Sequence, residues 1–442
     1  MKTMKFTCIL LFFIILSGTK PSTAQVILSP EEAIRIGLLN NFDIRLVRQE
    51  VAEAENNLSL GNAGFLPQLD LTASQNYSVT DSKQLYLSGT ENDRKGATSD
   101  ALNAGVQLSW TIFDGLRMFV QYDRLREIQE KTELSFLLTV EYAVQQILSN
   151  YYNLINLNQQ IRVVEKTILV DLERLKLTED MLEIGSGSRL DLLQAQVDLN
   201  ADSAMLLRLQ DQVLQTKSIV NQLLARDSKT SFSVQDTFVI QSALNFDVLA
   251  QKMLAQNTSL RLTQQDERLS LLLLKEIRGR QIPSLGLNIG YNFLDQQSQS
   301  GFLLSNRSLG LTYGIQASMN LFDGFNRSRE KRNAAIQIES SRIRTESVIR
   351  ELENELSRNF DSYLNKMKLV AMEKQNLGAA GENLSIAGER YRLGDLSGFE
   401  FREAQRNYMT TEGRMLQVQF ETKLLEMNLL QLSGELVLGY DL

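Results

Sequence analysis

The 442-residue sequence contains no histidine, and its one cysteine, Cys8, lies in an N-terminal stretch read below as removed. Their absence from the rest of the chain excludes Ser–His–Asp and Cys–His nucleophile systems, His or Cys metal sites, disulfides and thiol redox chemistry. Prolines are scarce, at four, and glycines few, at 25. A length that would hold about three domains of roughly 150 residues therefore reads as a small number of long, uninterrupted elements. The net charge is −7 with no basic concentration, which disfavours nucleic acid as a partner. No Gly-x-x-x-x-Gly-Lys-Ser/Thr loop is present to hold a nucleotide. No cofactor, metal or catalytic residue is expected.

Lys2 and Lys5 precede an apolar run, Ile9–Leu16, followed by Ser22-Thr23-Ala24. A charged start, a short apolar core and a small-residue site read as a secretory signal peptide, residues 1–24. The core is too short for a spanning helix of roughly 20 residues. Removal of Lys2, Lys5 and Lys20 leaves 43 basic and 53 acidic residues, a charge of −10.

The remainder is a tandem duplication, with repeat one over 25–241 and repeat two over 242–442. Ile112-Phe113-Asp114-Gly115 recurs as Leu321-Phe322-Asp323-Gly324, an offset of 209 that also maps Gly185 onto Gly394 and Ala195-Gln196 onto Ala404-Gln405. Upstream, Leu66-Pro67-Gln68-Leu69 recurs as Ile282-Pro283-Ser284-Leu285 with an offset of 216. A loop of different length between the two landmarks accounts for the change.

After each proline the period switches to two. Leu69, Leu71, Ala73, Tyr77 and Val79 alternate with small polar residues, as do Leu102, Ala104, Val106, Leu108, Trp110 and Ile112. In repeat two, Leu285, Leu287, Ile289, Tyr291 and Phe293 repeat the pattern, followed by Leu309, Leu311, Tyr313, Ile315, Ala317, Met319 and Leu321. The alternation predicts strands at 69–80, 102–113, 285–294 and 308–322. These exceed the five or six residues usual in a soluble sandwich and suit a membrane barrel, apolar outside and polar within. Four strands cannot close a barrel, for which about eight are needed, so several chains must contribute. The polar segments Asp81–Asp100 and Asp295–Arg307 are expected to be the extracellular loops.

Elsewhere the pattern is helical. Long helices are predicted over 115–184 and 324–393, the first of roughly 105 Å at 1.5 Å per residue. Shorter ones are predicted over 189–226 and 399–436, and ahead of the strands over 29–64 and 242–281. Leu192, Leu199, Leu206, Val213 and Val220 recur every seven residues, a coiled-coil spacing. Pro67 and Pro283 stop a helix and open a strand. Trp110, Phe113 and Phe322 at strand ends suit an interfacial aromatic belt.

These junctions resemble the TolC-like outer-membrane efflux family over essentially the whole chain after the signal peptide. The two helix-turn-helix segments extend the resemblance: Leu182-Glu183-Ile184-Gly185 before Leu190-Asp191-Leu192-Leu193-Gln194-Ala195-Gln196, and Arg390-Tyr391-Arg392-Leu393-Gly394 before Phe399-Glu400-Phe401-Arg402-Glu403-Ala404-Gln405. The resemblance implies a mainly α, internally duplicated fold that gives four transmembrane strands per chain. Three chains would form a 12-stranded barrel in the outer membrane, continued by a long periplasmic α-helical barrel. It also implies a passive duct for drugs, metals or polypeptides, supplied by an inner-membrane pump through a periplasmic adaptor, the membrane fusion protein. By position, Glu400 and Glu403 match an acidic ring at the entrance, and Asp191 and Tyr391 a pair that ties neighbouring helices shut. Leu396 stands where the family has a basic residue. The tips, Gly185 and Ser186 with Gly394 and Asp395, would dock the adaptor. A periplasmic coiled-coil adaptor, or a structural protein without a membrane pore, is the alternative, but an adaptor would need one hairpin and no duplicated strands. Paired carboxylates could serve a glycosidase, but long heptad helices offer no cleft.

Overall fold

The computed structural model describes residues 27–241, 244–301 and 303–437. The expected signal peptide lies outside them. The chain forms two compact units, each drawn from both repeats. One contains the chain to Leu46, Leu138–Asn257 and the chain from Glu351. The other contains Val47–Leu137 and Thr258–Arg350.

The second unit holds a four-stranded antiparallel sheet in the order β2-β3-β5-β6: β2 Gln68–Leu85, β3 Glu91–Phe113, β5 Ser284–Ser298 and β6 Ser305–Ser318. Pro67 and Pro283 immediately precede β2 and β5, where a residue without an N–H begins a ladder at no loss. The hairpin strands run further than their apolar alternation. β2 and β3 stay paired out to Leu85 opposite Glu91, so the expected loop Asp81–Asp100 shrinks to residues 86–90. The distal part is polar, with Ser82, Lys83 and Gln84 opposite Arg94, Asp93 and Asn92. Hydrogen bonding carries the ladder there without an apolar face. The register shifts between Thr80 and Ser82, where Asp81 Oδ1 accepts from Gly96 N at 2.7 Å. Likewise Asp295–Arg307 is mostly ladder: the two residues face each other and pair at 2.6 Å, leaving 299–304 as the connection. β6, expected over 308–322, ends at Ser318 because its partner begins at Ser284.

The Phe-Asp-Gly segments turn strand into helix. Gly115 and Leu116 have φ of 78° and 69°, and Gly324 and Phe325 have 68° and 65°. Two consecutive left-handed residues reverse the chain. Asp114 Oδ1 then accepts from Met118 N at 3.1 Å, and Asp323 Oδ2 from Arg327 N at 2.9 Å. These side chains cap the long helices, α3 Arg117–Glu183 and α7 Asn326–Arg392, which consequently start two residues later than expected.

The first unit contains the two breaks between the short helices. The helix predicted over 29–64 is two helices, α1 Pro30–Asn40 and α2 Phe42–Asn57. That predicted over 242–281 is α5 Phe246–Gln256 and α6 Thr258–Gly279. Asn41 and Asn257 make the breaks, with ψ of 130° and 120°. Asn41 Oδ1 caps α2 through Asp43 N and Ile44 N, while its Nδ2 donates to the carbonyl of Leu223, the last residue of α4 Arg189–Leu223. Asn257 Nδ2 does the same for Leu432, the last residue of α8 Gly398–Leu432, at 3.0 Å. α4 and α8 stop short of 226 and 436 because left-handed turns at Ala225 and Gly434 close their carbonyls. Around this level Ile147, Leu148, Tyr151, Leu154 and Ile155 of α3 are fully buried, with Tyr151 Oη donating to Leu28 O at 2.8 Å. β1 Ile27–Leu28 pairs in parallel with β4 Ser233–Val234.

Candidate functional site

The two helix-turn-helix tips of the first unit are built alike. α3 ends with Gly185 at φ 76°, where Ser186 N donates to Met181 O and Gly185 N to Leu182 O. α7 ends with Gly394 at φ 77°, where Asp395 N donates to Arg390 O and Gly394 N to Tyr391 O. Both are left-handed caps that satisfy terminal carbonyls, a geometry glycine adopts at least cost. Gly185, Ser186, Gly394 and Asp395 are all exposed. Asp395 also pairs with Arg390 Nε at 2.9 Å.

Ser188 and Ser397 start the returning helices. Ser188 Oγ accepts from Leu190 N at 3.1 Å. Ser397 Oγ accepts from Glu400 N, and Glu400 Oε2 in turn accepts from Ser397 N at 3.0 Å, which closes a capping box. Asp191 and Glu400 occupy the same third helical position of the two copies. Glu400 is held below the usual carboxylate range by its hydrogen bonds from Ser397, side chain first and then backbone, with Arg390 adding to the effect. Glu403 pairs with Arg406. Each member of the expected acidic pair thus has local partners.

Tyr391 is buried with Ala387 and Phe401, and its ring stacks on Phe401 at 5.0 Å and 4°. Leu396, at the position of the family's basic residue, packs against this cluster with Leu177 and Leu384. Burial pushes the Tyr391 hydroxyl up, Arg174 pulls it down and Asp191 raises it again. Asp191 is therefore near enough to be felt, although no hydrogen bond joins it to Tyr391 among the described residues.

Sequence reasoning missed an ionic centre within the same unit. Asp171 and Arg174 on α3, Asp198 and Asp202 on α4, and Gln405 on α8 are all buried, and Arg402 on α8 nearly so. Arg402 reaches three carboxylates: Asp202 at 2.8 Å, Asp171 at 3.4 Å and Asp198 at 3.6 Å. Arg174 pairs with Asp198, and Gln405 Nε2 donates to Asp171 Oδ1 at 2.9 Å. The Asp171 carboxyl is pushed up to about 6, first by burial and then by the adjacent Asp202 carboxyl, against Gln405 and Arg402. One signal was available: the offset of 209 sets Arg402 opposite Leu193, where an apolar residue would continue the pattern. Among the described residues no group of His, Cys, Asp and Glu is arranged to hold a metal ion.

Known proteins resemble this chain in sequence and in fold. The family described as "Outer membrane efflux protein" matches residues 33–226 and 249–435, one segment for each repeat. The outer membrane efflux protein BepC of Brucella suis biovar 1 (strain 1330) is 20% identical over 443 residues, covering 96% of this chain and 89% of its own. The Campylobacter jejuni CmeC outer membrane channel superposes with a TM-score of 0.77 at 15% identity, over 92% of this chain and 86% of that one. For the outer membrane protein VceC of Vibrio cholerae the TM-score is 0.75 at 15% identity, over 92% and 96%. At such identities the superpositions speak for the fold alone.

Proposed function

Because the chain belongs to the outer membrane efflux protein family, we propose that it is the passive exit duct of a tripartite efflux or type I secretion system. Three copies close a 12-stranded barrel in the outer-membrane lipid. The observation that carries this reading is the sheet's incompleteness. Its outer strands, β2 with 18 residues and β6 with 14, each have a neighbour on one side only. Unpaired edges of that length invite further strands. Apolar side chains along them stand in the open, Leu71 and Tyr313 at 79% and Ile315 at 74%. Lipid outside and neighbouring strands at both edges satisfy both features at once. The superposable outer-membrane channels support the same arrangement.

In this reading the tips at Gly185–Ser186 and Gly394–Asp395 form the docking surface for the adaptor. Asp191 and Tyr391 help to hold the entrance shut, and Glu400 and Glu403 line it. An inner-membrane pump supplies the energy and sets the cargo, whether drugs, metals or polypeptides, and the chain itself carries no catalysis. Mass measurement on detergent-extracted protein is expected to give three chains per particle. A stable monomer that keeps its full β content would overturn the reading.

A further inference from the structure

The buried centre of Asp171, Arg174, Asp198, Asp202 and Arg402 holds three carboxyl groups against two guanidinium groups. Arg174 and Arg402 cannot be deprotonated, so full ionisation would leave one unbalanced negative charge in a region closed to water. The oxygens point to where a proton resolves this. Asp171 Oδ2 and Asp202 Oδ2 are buried with no hydrogen bond to either. Arg402 Nη1 stands 2.8 Å from Asp202 Oδ2 as an ion pair, outside hydrogen-bonding alignment. The donors available go elsewhere: Gln405 to Asp171 Oδ1, Arg174 and Gln194 to Asp198.

We propose that Asp171 and Asp202 share one proton, and that this proton locks α8 against α3 and α4 and makes the centre an acid-tightened latch on the periplasmic entrance. The proposal rests on the duct reading above, and it concerns how that duct is regulated. α3 brings Asp171 and Arg174, α4 brings Asp198 and Asp202, and α8 brings Arg402. α7 brings Tyr391, which feels Arg174. Arg406 joins Arg402 and Asp202 around an adjoining cavity of about 300 Å³.

The direction follows from the charge count. With the proton bound, two ionised carboxylates balance two guanidiniums. When it leaves, the excess charge is relieved only if the helices part and let water in. Asp171 is held above the ordinary carboxylate range, so packed helices bind a proton that parted helices release. The lock is complete below about pH 4, where a carboxyl in water is also protonated, and is lost as pH rises through about 6. Lower pH therefore favours the closed arrangement in each chain.

The test pairs two readouts on the purified protein between pH 4 and 8. Difference infrared spectroscopy follows the protonated carboxyl band, and planar-bilayer recording follows conductance. The wild type is expected to lose a carboxyl band and gain conductance several-fold, with one shared midpoint near 6. D171N and D202N each neutralise one half of the pair, so both should abolish that midpoint in both readouts, and D171N should stay at the low-conductance level throughout. The variants check each other should one fail to fold. A wild type whose carboxyl bands all titrate near 4 would overturn the shared proton. A band at 6 with conductance independent of pH would overturn the latch. No conductance at any pH would overturn the duct reading, and the latch with it.

Discussion

The tips of the two repeats have the same backbone punctuation and different chemistry. Both end a 67-residue helix on a left-handed glycine and restart on serine. Eight residues beyond Gly185 and Gly394 the copies diverge: Leu193 is exposed on α4, whereas its counterpart Arg402 enters a buried ionic centre. Asp171, Asp198 and Asp202 likewise have Ala380, Asn407 and Thr411 as counterparts. Duplication conserved what the backbone requires and left the side chains between the helices free to specialise. The buried centre takes its three carboxyls and Arg174 from repeat one and Arg402 from repeat two, so the divergence of the two copies is complementary.

Exchanging the diverged residues should give the most unequal outcome. Arg402→Leu copies repeat one into repeat two and strands three buried carboxyls with a single guanidinium. A loss of about 3–5 kcal/mol in local stability is expected, read as faster amide exchange along α8. The reciprocal Leu193→Arg places a charge on an exposed site and should stay within about 0.5 kcal/mol.

A second pair tests whether equivalent turns are equally demanding. A Cβ on Gly115 would meet Gly279 O at 2.3 Å and Ile282 Cβ at 2.9 Å. A Cβ on Gly324 would meet nothing closer than Asn326 Nδ2 at 3.9 Å. Both have positive φ, so Gly324→Ala should cost about 1 kcal/mol and Gly115→Ala about 3, visible as unequal falls in thermal midpoint. Equal falls would mean that strain alone matters and the close approach relaxes.

The smallest contrast lies in the caps. Ser397→Ala breaks both halves of a capping box and should cost about 1–2 kcal/mol, and Ser188→Ala, which loses one hydrogen bond, about 0.5–1. Limited proteolysis at the two tips reads the difference directly.

What could be read from sequence follows the same division. Pro67 and Pro283, the alternating Leu285–Phe293 run and the long proline-free stretches each express one local rule, so strands and long helices were legible. The breaks at Asn41 and Asn257 were not, because a lone asparagine scarcely disturbs a 3.6-residue pattern, and only its long-range bonds to Leu223 and Leu432 define it as a joint. The seven-residue row Leu192, Leu199, Leu206, Val213 and Val220 is half-buried at its three leucines and buried at its two valines. The more buried row on α4 runs through Ala195, Asp202, Leu209 and Thr216. An aspartate in that row reads as a solvated face until its partners on other helices are known. The positions of Asp191, Tyr391, Glu400 and Glu403 came from family resemblance, and the geometry adds to them a buried Tyr391 ring and a Glu400 committed to a cap.

The asparagine joints have a mechanical consequence. Where α4 ends, one carboxamide donates to the last carbonyl of that helix and accepts from the first turn of another. Each joint therefore bends by giving up one side-chain hydrogen bond, Asn41 Nδ2 to Leu223 O or Asn257 Nδ2 to Leu432 O, whereas a bend inside a continuous helix gives up bonds of the backbone ladder.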